Sequence, residues 1–238
     1  MNWIFPIILI SIVIILLIII TIKIEKFNDN SLDAVIYINL ENRDDRKSLI
    51  LKEIEKLDIS KSKIHKISGV YTPKNGHKGC VQSHILALEL AKLNKWQRVL
   101  ILEDDAELVV EPSMAKEMIN TCLNIPDWNI FMLGTFYKKI KGIVDELGNG
   151  LNVERVAVST TGTAYIVKYD YIDTLMNVFR TSNDHMSRDK LSQKDAEPWA
   201  LDQQWIKLQE ADIWYCLNKD MFRQRNIWST TQSAPHND

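Results

Sequence analysis

The chain has 238 residues, a formal net charge of −2 at pH 7 and 46% hydrophobic residues. A nearly neutral chain lacks the basic surface that is typical of nucleic-acid-binding proteins, so we expect no nucleic-acid partner. Its three cysteines, Cys80, Cys122 and Cys216, are odd in number and widely spaced, which argues against a disulfide framework or a zinc knuckle. The length is typical of one globular domain.

The first element is an uncharged apolar stretch that runs from Trp3 to Ile22. As a helix, about 20 such residues rise about 30 Å, which matches the hydrocarbon core of a bilayer. A cleaved signal peptide usually has a basic start, a shorter apolar run and a small-residue cleavage site, and this stretch has none of them. Residues 3–22 are therefore predicted to be a single-pass membrane anchor. Lys23 and Lys26 follow it and favour a cytoplasmic domain only weakly, so the side of the membrane stays open.

A polar linker over residues 23–33 is expected to lead into the globular domain. After it, Ala34 to Leu40 are apolar and rich in β-branched residues, which predicts a strand. Residues 41–57 show helical spacing, with Asn42 or Asp44 as the expected N-cap. The pattern continues with predicted strands over residues 63–70, 98–105 and 128–134 and predicted helices over residues 81–93 and 113–125.

Strands that alternate with helices in this way indicate an α/β sheet with parallel strands. The pattern changes after Leu147, where the apolar runs follow one another closely. In open sheets of this class, ligands bind beyond the carboxyl ends of the strands, so polar residues at those ends are the first site candidates. In the last part of the chain we expect strands over residues 153–160, 162–167 and 211–218 and helices over residues 169–179 and 202–210.

The stretch "VLILEDDAEL" carries three consecutive acids, Glu103, Asp104 and Asp105, directly after an apolar strand. Burying carboxylates this close together is unfavourable unless a cation or hydrogen-bond donors compensate. Strand alternation places Glu103 and Asp105 on one side and Asp104 on the other. Carboxylate oxygens suit hard divalent cations, so the sequence predicts a metal site with Asp105 as the first ligand and Glu103 beside it. The alternative is a solvated strand end; Arg43 or Arg46, after the first strand, can reach the same edge.

A second stretch, "GHKGCVQSH", brings two glycines to the start of a predicted helix. Backbone N–H groups at such a helix start can approach a phosphate. The spacing of a Walker-type phosphate loop is absent, however, and an ordinary loop with an N-cap is the competing interpretation. A lone histidine such as His84 is more often structural than a ligand.

Five stretches together resemble glycosyltransferase family 25, which includes bacterial lipooligosaccharide galactosyltransferases and the collagen galactosyltransferases. They are "YINLENRDDR", "GHKGCVQSH", "VLILEDDAEL", "GTAYIV" and the terminal "YCLNKDMFRQ...WSTTQS". The resemblance covers residues 34–233, which we take as the catalytic domain. It implies a GT-A-like α/β fold (a Rossmann-like nucleotide-sugar-binding domain), a nucleotide-sugar donor that is often UDP-galactose, a Mn²⁺ or Mg²⁺ ion, and inversion at the anomeric carbon.

The resemblance also implies roles for individual residues. Glu103, Asp104 and Asp105 become a DxD-like donor and metal site, and Asp202 becomes a catalytic base. The segment before Asp202 is longer than the short Pro-x-Asp of the family, so Glu197 stays a competing base. The residues implied to lie near the donor are Arg46, Gly79, Ser83 and His84.

The function that these observations predict is a membrane-anchored, metal-dependent inverting glycosyltransferase. It would move a hexose, galactose by resemblance, from a UDP-sugar to a hydroxyl of a glycan or glycoprotein acceptor, with the base taking the acceptor's proton. Trp199 and Trp205 are expected to stack on the sugar. A catalytically inactive, membrane-tethered binding module of the same fold is the alternative. A metal-dependent phosphohydrolase is disfavoured, because "YINLENR" lacks a nucleophilic Asp with an acid two residues on.

Overall fold

The apolar runs of the sequence form the strands of two β-sheets, and the segments of helical spacing pack against them. The computed structural model describes residues 31–148 and 150–226. Three single-turn 3₁₀ helices lie at Lys61–Lys63, Tyr169–Tyr171 and Glu197–Trp199. The helices are α1 (Asp44–Lys56), α2 (Gly76–Leu93), α3 (Pro112–Asn124), α4 (Ile172–Arg188), α5 (Leu201–Gln204) and α6 (Ile206–Ala211). The strands are β1 (Ala34–Asn39), β2 (Ile64–Ser68), β3 (Arg98–Glu103), β4 (Ala106–Leu108), β5 (Ile130–Met132), β6 (Lys138–Glu146), β7 (Asn152–Ser159), β8 (Ala164–Lys168), β9 (Trp214–Leu217) and β10 (Phe222–Gln224).

The main sheet has eight strands in the order β2-β1-β3-β8-β5-β9-β7-β6, and β4 pairs with β10 in a separate sheet. β1 runs parallel to both β2 and β3, as the alternation of strands and helices predicts. β8 is antiparallel to β3 and β5, and β7 is antiparallel to β9 and β6, so the prediction of a parallel sheet is wrong for this half. β6 and β7 pair antiparallel because a short turn joins them. β8 has no crossover helix before it and enters the sheet between β3 and β5 in the reverse direction, whereas β5 and β9 remain parallel.

The core lies on both faces of the main sheet. Alternate residues of one strand divide between the faces: Leu100 belongs to one hydrophobic cluster and Ile101 to the other. The first cluster packs the apolar sides of α1 and α3 against the sheet, and the second packs α2 and α4 against the opposite face. Because both faces are covered, the central strands are apolar throughout and only their ends can carry polar chemistry. The mixed α/β architecture therefore agrees with the predicted fold class.

Several predicted boundaries shift in the structure. The N-cap of α1 is Arg43, without a side-chain capping bond, so the prediction of Asn42 or Asp44 as the cap is wrong. Helix α2 begins at Gly76, five residues before the predicted start, because Asn75 caps it by accepting the N–H of Lys78 at 3.0 Å. Strands β4, β6 and β10 were not predicted, and the helix expected over residues 202–210 is divided at Trp205.

The predicted anchor over residues 3–22 and most of the predicted linker lie outside the described residues, as do residues 227–233 of the predicted domain. Within residues 31–148 and 150–226, no helix combines the length and the hydropathy needed to cross a membrane.

Gly79 shows how tightly the loop after β2 is held against α2. A Cβ atom at this position would lie 2.5 Å from Thr72 Oγ1 and closer still to the carbonyl oxygen of Val70. Ser83 ties the same loop down, because its hydroxyl accepts the N–H of Val70 at 2.8 Å and donates to the carbonyl of Gly79 at 2.7 Å. The loop after β2 can therefore lie directly against the start of α2 because Gly79 has no side chain.

We expect Gly79→Ala to destabilise the protein, although alanine is the better helix former by about 1 kcal/mol. The clash with the backbone of Val70 cannot be relieved by rotating a side chain. Overpacking of this kind typically costs about 1–3 kcal/mol, measured as the free energy of unfolding in urea. A variant that is as stable as the wild type would show that the loop yields easily and that Gly79 does not place it.

Candidate active site

A cleft with a cavity volume of about 340 Å³ opens at the carboxyl ends of β1, β2 and β3. It is lined by the loops that follow these strands, by the first turns of α2, and by residues 160–162 with the start of α5. Its position agrees with the rule that ligands of open α/β sheets bind beyond the strand ends. Eight of the predicted site residues line it: Arg46, Gly79, Ser83, His84, Glu103, Asp104, Asp105 and Asp202.

Arg46 joins two of the three consecutive acids. Its Nη1 donates to Asp104 Oδ1 at 2.7 Å and to Asp105 Oδ2 at 3.4 Å, and the guanidinium is almost completely buried. Asn39, the last residue of β1, donates to the other oxygen of Asp104 at 2.9 Å. The expectation that Asp104 faces away from Asp105 is wrong, because β3 ends at Glu103 and the next two residues lie in a turn where strand alternation no longer applies.

Asp105 is the acid with the least compensation. Burial, together with the charges of Glu103 and Asp104, raises the pKa of its carboxyl to about 7 despite the guanidinium of Arg46. Gln224 of β10 donates to Asp105 Oδ2 at 3.3 Å, whereas Oδ1 is buried and has no hydrogen-bond partner among the described residues. A buried carboxylate oxygen without a donor is suited to a hard cation, so the residues present fit a divalent metal here.

Glu103 lies in a different environment from the two aspartates. Its Oε1 is 3.1 Å from His84 Nε2 and 3.4 Å from Cys80 Sγ. Burial raises the pKa of this carboxyl, but the hydrogen bonds and charge of His84, with Cys80 and Arg46, outweigh it and lower the pKa overall. His84 Nδ1 in turn lies 2.9 Å from the hydroxyl of Tyr165, which fixes the ring. His84 and Glu103 thus form one buried network that ends in the cleft.

Asp202 faces the cleft from the start of α5. Its Oδ2 accepts the N–H of Thr161 at 3.0 Å, and Ala200 is the N-cap of the helix, so Asp202 does not cap it. Thr161 has a φ of +81°, a conformation that is energetically unfavourable for a β-branched residue. Burial, with a smaller contribution from the charge of Glu103, raises the pKa of Asp202. Glu197, the competing base, is exposed in the preceding 3₁₀ turn and is not part of the cleft wall.

The cleft is also lined by residues that no sequence motif singles out. His77 lies near Asp202 and Glu197; burial lowers its pKa, and the two carboxylates oppose that shift. Tyr71 and Phe136 are 60% and 71% exposed at the rim. His77 lies within the quoted stretch "GHKGCVQSH", but the sequence does not show that it meets Asp202.

The expected tryptophan pair does not exist. Trp205 is fully buried in the core and its Nε1 donates to the carbonyl of Ser159 at 2.9 Å, so it cannot stack on a sugar in the cleft. Trp199 stacks on His185, with ring centroids 3.9 Å apart, and is not among the residues that line the cleft. The free state of Cys80, Cys122 and Cys216 agrees with the sequence analysis.

We expect Asp105→Asn to be more stable than the wild type at pH 8 in the absence of metal, and nearly as stable as the wild type at pH 4. The wild-type carboxyl has a folded-state pKa of about 7, above the ordinary value of 3.8, so the wild type loses stability as the pH rises between these values. Each pH unit in this window is worth at most about 1.4 kcal/mol, and the amide does not titrate. Urea unfolding of both proteins from pH 4 to pH 8 measures the difference.

Asp45→Asn is the control for this comparison. The hydrogen bond from Arg43 lowers the pKa of Asp45 to about 2, so its contribution to stability is lost only below pH 4 and stays constant from pH 5 to pH 8. A stability difference between Asp105→Asn and the wild type that does not change with pH would contradict the strained, buried state of Asp105.

No protein-family model matches this chain, and no curated protein matches its sequence. Solved structures similar to it include a mannose-1-phosphate geranyltransferase from Thermus thermophilus, at 9% identity over 81% of this chain and 73% of that chain, with a TM-score of 0.44. A second is a glycosyltransferase involved in the glycosylation of the major capsid of PBCV-1, at 10% identity over 84% of this chain and 96% of that chain, with a TM-score of 0.45. Values this low establish neither a shared family nor a shared activity, and membership of glycosyltransferase family 25 stays a prediction.

Proposed function

We propose that this chain is a metal-dependent inverting glycosyltransferase that moves a hexose from a UDP-sugar to a hydroxyl of a glycan or glycoprotein. The observation that carries the proposal is the Oδ1 atom of Asp105, which is buried in a cleft at the carboxyl end of β3 and has no hydrogen-bond partner within residues 31–148 and 150–226. A nucleotide diphosphate needs a cation at such a point, and a carboxylate oxygen without a donor would bind one. Galactose is the sugar that the family resemblance implies.

The shape and rim of the cleft support a nucleotide sugar as the ligand. Its volume of about 340 Å³ is within the range of small-molecule sites, roughly 300–1,000 Å³. Tyr71 and Phe136 leave aromatic faces exposed on the rim, where a base or a sugar ring can stack. Below them, the guanidinium of Arg46 holds two of the acids in place, so the polar groups lie at the bottom of the cleft and the aromatic groups at its mouth.

Asp105, with Glu103 beside it, would hold a Mn²⁺ or Mg²⁺ ion. Such an ion supplies Lewis-acid stabilisation of the charge on a departing diphosphate. Asp104 would act indirectly, since both of its oxygens already accept hydrogen bonds from Arg46 and Asn39 and keep the turn in place.

Asp202 is our proposed base. Its carboxylate lines the cleft from the start of α5, Thr161 orients it, and burial raises its pKa towards the range in which a base works best. His77 lies close enough to interact with its charge and can stabilise the carboxylate. Inversion needs such a base, because the acceptor hydroxyl loses its proton as it approaches the sugar from the side opposite the leaving group.

The apolar stretch over residues 3–22 would anchor this domain to a membrane, with the side left open. An anchored catalytic domain suits acceptors that are themselves held at a membrane or pass along it.

For the donor site, we expect the wild type to bind UDP-galactose in the presence of Mn²⁺ and to lose that binding in EDTA. Asp105→Asn should bind it weakly under both conditions, because the amide keeps the shape of the carboxylate and loses its charge. Isothermal calorimetry on the purified chain measures both affinities. Asp173→Asn, an exposed acid paired with Lys92 on α2, is the matched control and should behave as the wild type. Equal affinity with and without EDTA in all three proteins would exclude the metal site.

For the base, we expect Asp202→Asn to keep the Mn²⁺-dependent affinity for UDP-galactose while release of UDP, with water as the acceptor, falls by about 10²–10⁴-fold. Glu197→Gln is the matched control and should release UDP at the wild-type rate, since Glu197 is exposed outside the cleft wall. The opposite pattern would move the role to Glu197. If the wild type binds the donor but releases no UDP, the proposal of an enzyme is contradicted and the catalytically inactive binding module is favoured.

A further inference from the structure

Three side chains with different donor elements converge at one corner of the cleft. Cys80 Sγ, His84 Nε2 and Glu103 Oε1 all lie within 4.8 Å of one another. Cys80 and His84 are four residues apart on α2 and therefore project from the same face of the helix, while Glu103 reaches them from the end of β3. All three residues line the cleft.

The spacing of these atoms is close to that of ligands around a single tetrahedral ion. Zinc binds nitrogen and oxygen at about 2.0–2.2 Å and sulfur at about 2.3 Å, which sets neighbouring ligand atoms roughly 3.3–3.8 Å apart. Glu103 Oε1 lies 3.1 Å from His84 Nε2 and 3.4 Å from Cys80 Sγ. Two of the three separations are therefore close to those around a tetrahedral ion, and all three atoms lie within 4.8 Å of one another.

The contacts of His84 are also those expected of a metal-binding histidine. His84 is fully buried and its Nδ1 lies 2.9 Å from the hydroxyl of Tyr165, also fully buried. When Nδ1 donates to that hydroxyl, Nε2 presents its lone pair to the other two groups, which is the usual arrangement of a metal-bound histidine and its outer partner. Gly162 completes the corner, because a side chain there would press on Glu103 Oε1, 3.2 Å from its Cβ position.

We propose that Cys80, His84 and Glu103 form a site for Zn²⁺, with the fourth coordination position open to the cleft for a water molecule or an oxygen of a bound ligand. This site shares Glu103 with the hard-cation site proposed at Asp105, but Cys80 and His84 distinguish the two: sulfur and imidazole nitrogen select zinc and related ions, whereas Mg²⁺ and Mn²⁺ prefer oxygen. Three protein ligands with one open position is the pattern of reactive rather than purely structural zinc sites. The site stands independently of the proposed transferase activity, because no donor sugar is needed for the ion to bind.

The test uses Co²⁺ and Zn²⁺ alone on the full chain, without a nucleotide sugar. Co²⁺ bound through a thiolate has a charge-transfer absorption band in the near ultraviolet, which Zn²⁺ should abolish by displacement. We expect the band in the wild type, in Cys122→Ala and in Asp105→Asn, and its loss in Cys80→Ser. Cys122 is the matched control because it is a buried thiol in the hydrophobic cluster on the other face of the sheet. Zinc affinity in Cys80→Ser should fall by at least the 10–100-fold that loss of an outer-sphere partner alone costs.

A measurement on the wild type alone covers the case in which Cys80→Ser does not fold. Zn²⁺ should slow the alkylation of Cys80, followed by peptide mass spectrometry, and leave the rates at Cys122 and Cys216 unchanged. Absence of the cobalt band in the wild type, its persistence in a folded Cys80→Ser, or unchanged alkylation of Cys80 would each overturn the site. Loss of the band in Asp105→Asn would show instead one shared site for hard and soft cations, which also contradicts the proposal. None of these outcomes depends on whether the chain transfers a sugar.

Discussion

The rest of the cleft depends on one buried guanidinium. Arg46, from the first turn of α1, reaches Asp104 at 2.7 Å and Asp105 at 3.4 Å across the carboxyl end of β3. Two carboxylates this close repel each other and resist burial, so the turn after β3 can be buried only because a cation lies between them. Removal of the arginine would leave two buried carboxylates without a cation beside them, which is far more unfavourable than losing a surface ion pair.

Three consecutive acids consequently occupy three different environments. Asp104 accepts hydrogen bonds from Arg46 and Asn39, and Glu103 belongs to the network of His84. Asp105 has a pKa raised to about 7 and one oxygen to which no donor in the described part of the chain is bound. Neighbouring carboxyl groups whose pKa values are pushed apart by their surroundings commonly have different roles in one site. Here the division supports a structural Asp104, a cation-binding Asp105, and a Glu103 shared between the two corners of the cleft.

The backbone between β7 and β8 is strained next to the two acids Glu103 and Asp202. Thr161 holds a φ of +81° while its N–H donates to Asp202, and Gly162 leaves room for Glu103 and for the side chain of Leu201. A β-branched residue in this conformation is unfavourable by roughly 1–3 kcal/mol, which the surrounding contacts must offset. Thr161 and Gly162 lie in the segment that connects β7 to β8. This segment contacts both Asp202 and Glu103, and both acids line the same cleft.

The sequence by itself determined the strands that form the centre of the sheet, the helices between them and the cluster of acids at a strand end. Those features follow from local periodicity and from the cost of burying charge, which can be evaluated along the chain. Other features depended on the tertiary structure: the antiparallel directions of β7 and β8, the contact of Arg46 with both Asp104 and Asp105, and the approach of His77 to Asp202. The burial of Trp205 belongs with them, since an aromatic residue suits a core and a sugar site equally well. Each of these depends on contacts between segments far apart in the chain, and residue spacing along a sequence carries no record of which distant backbone will supply the partner.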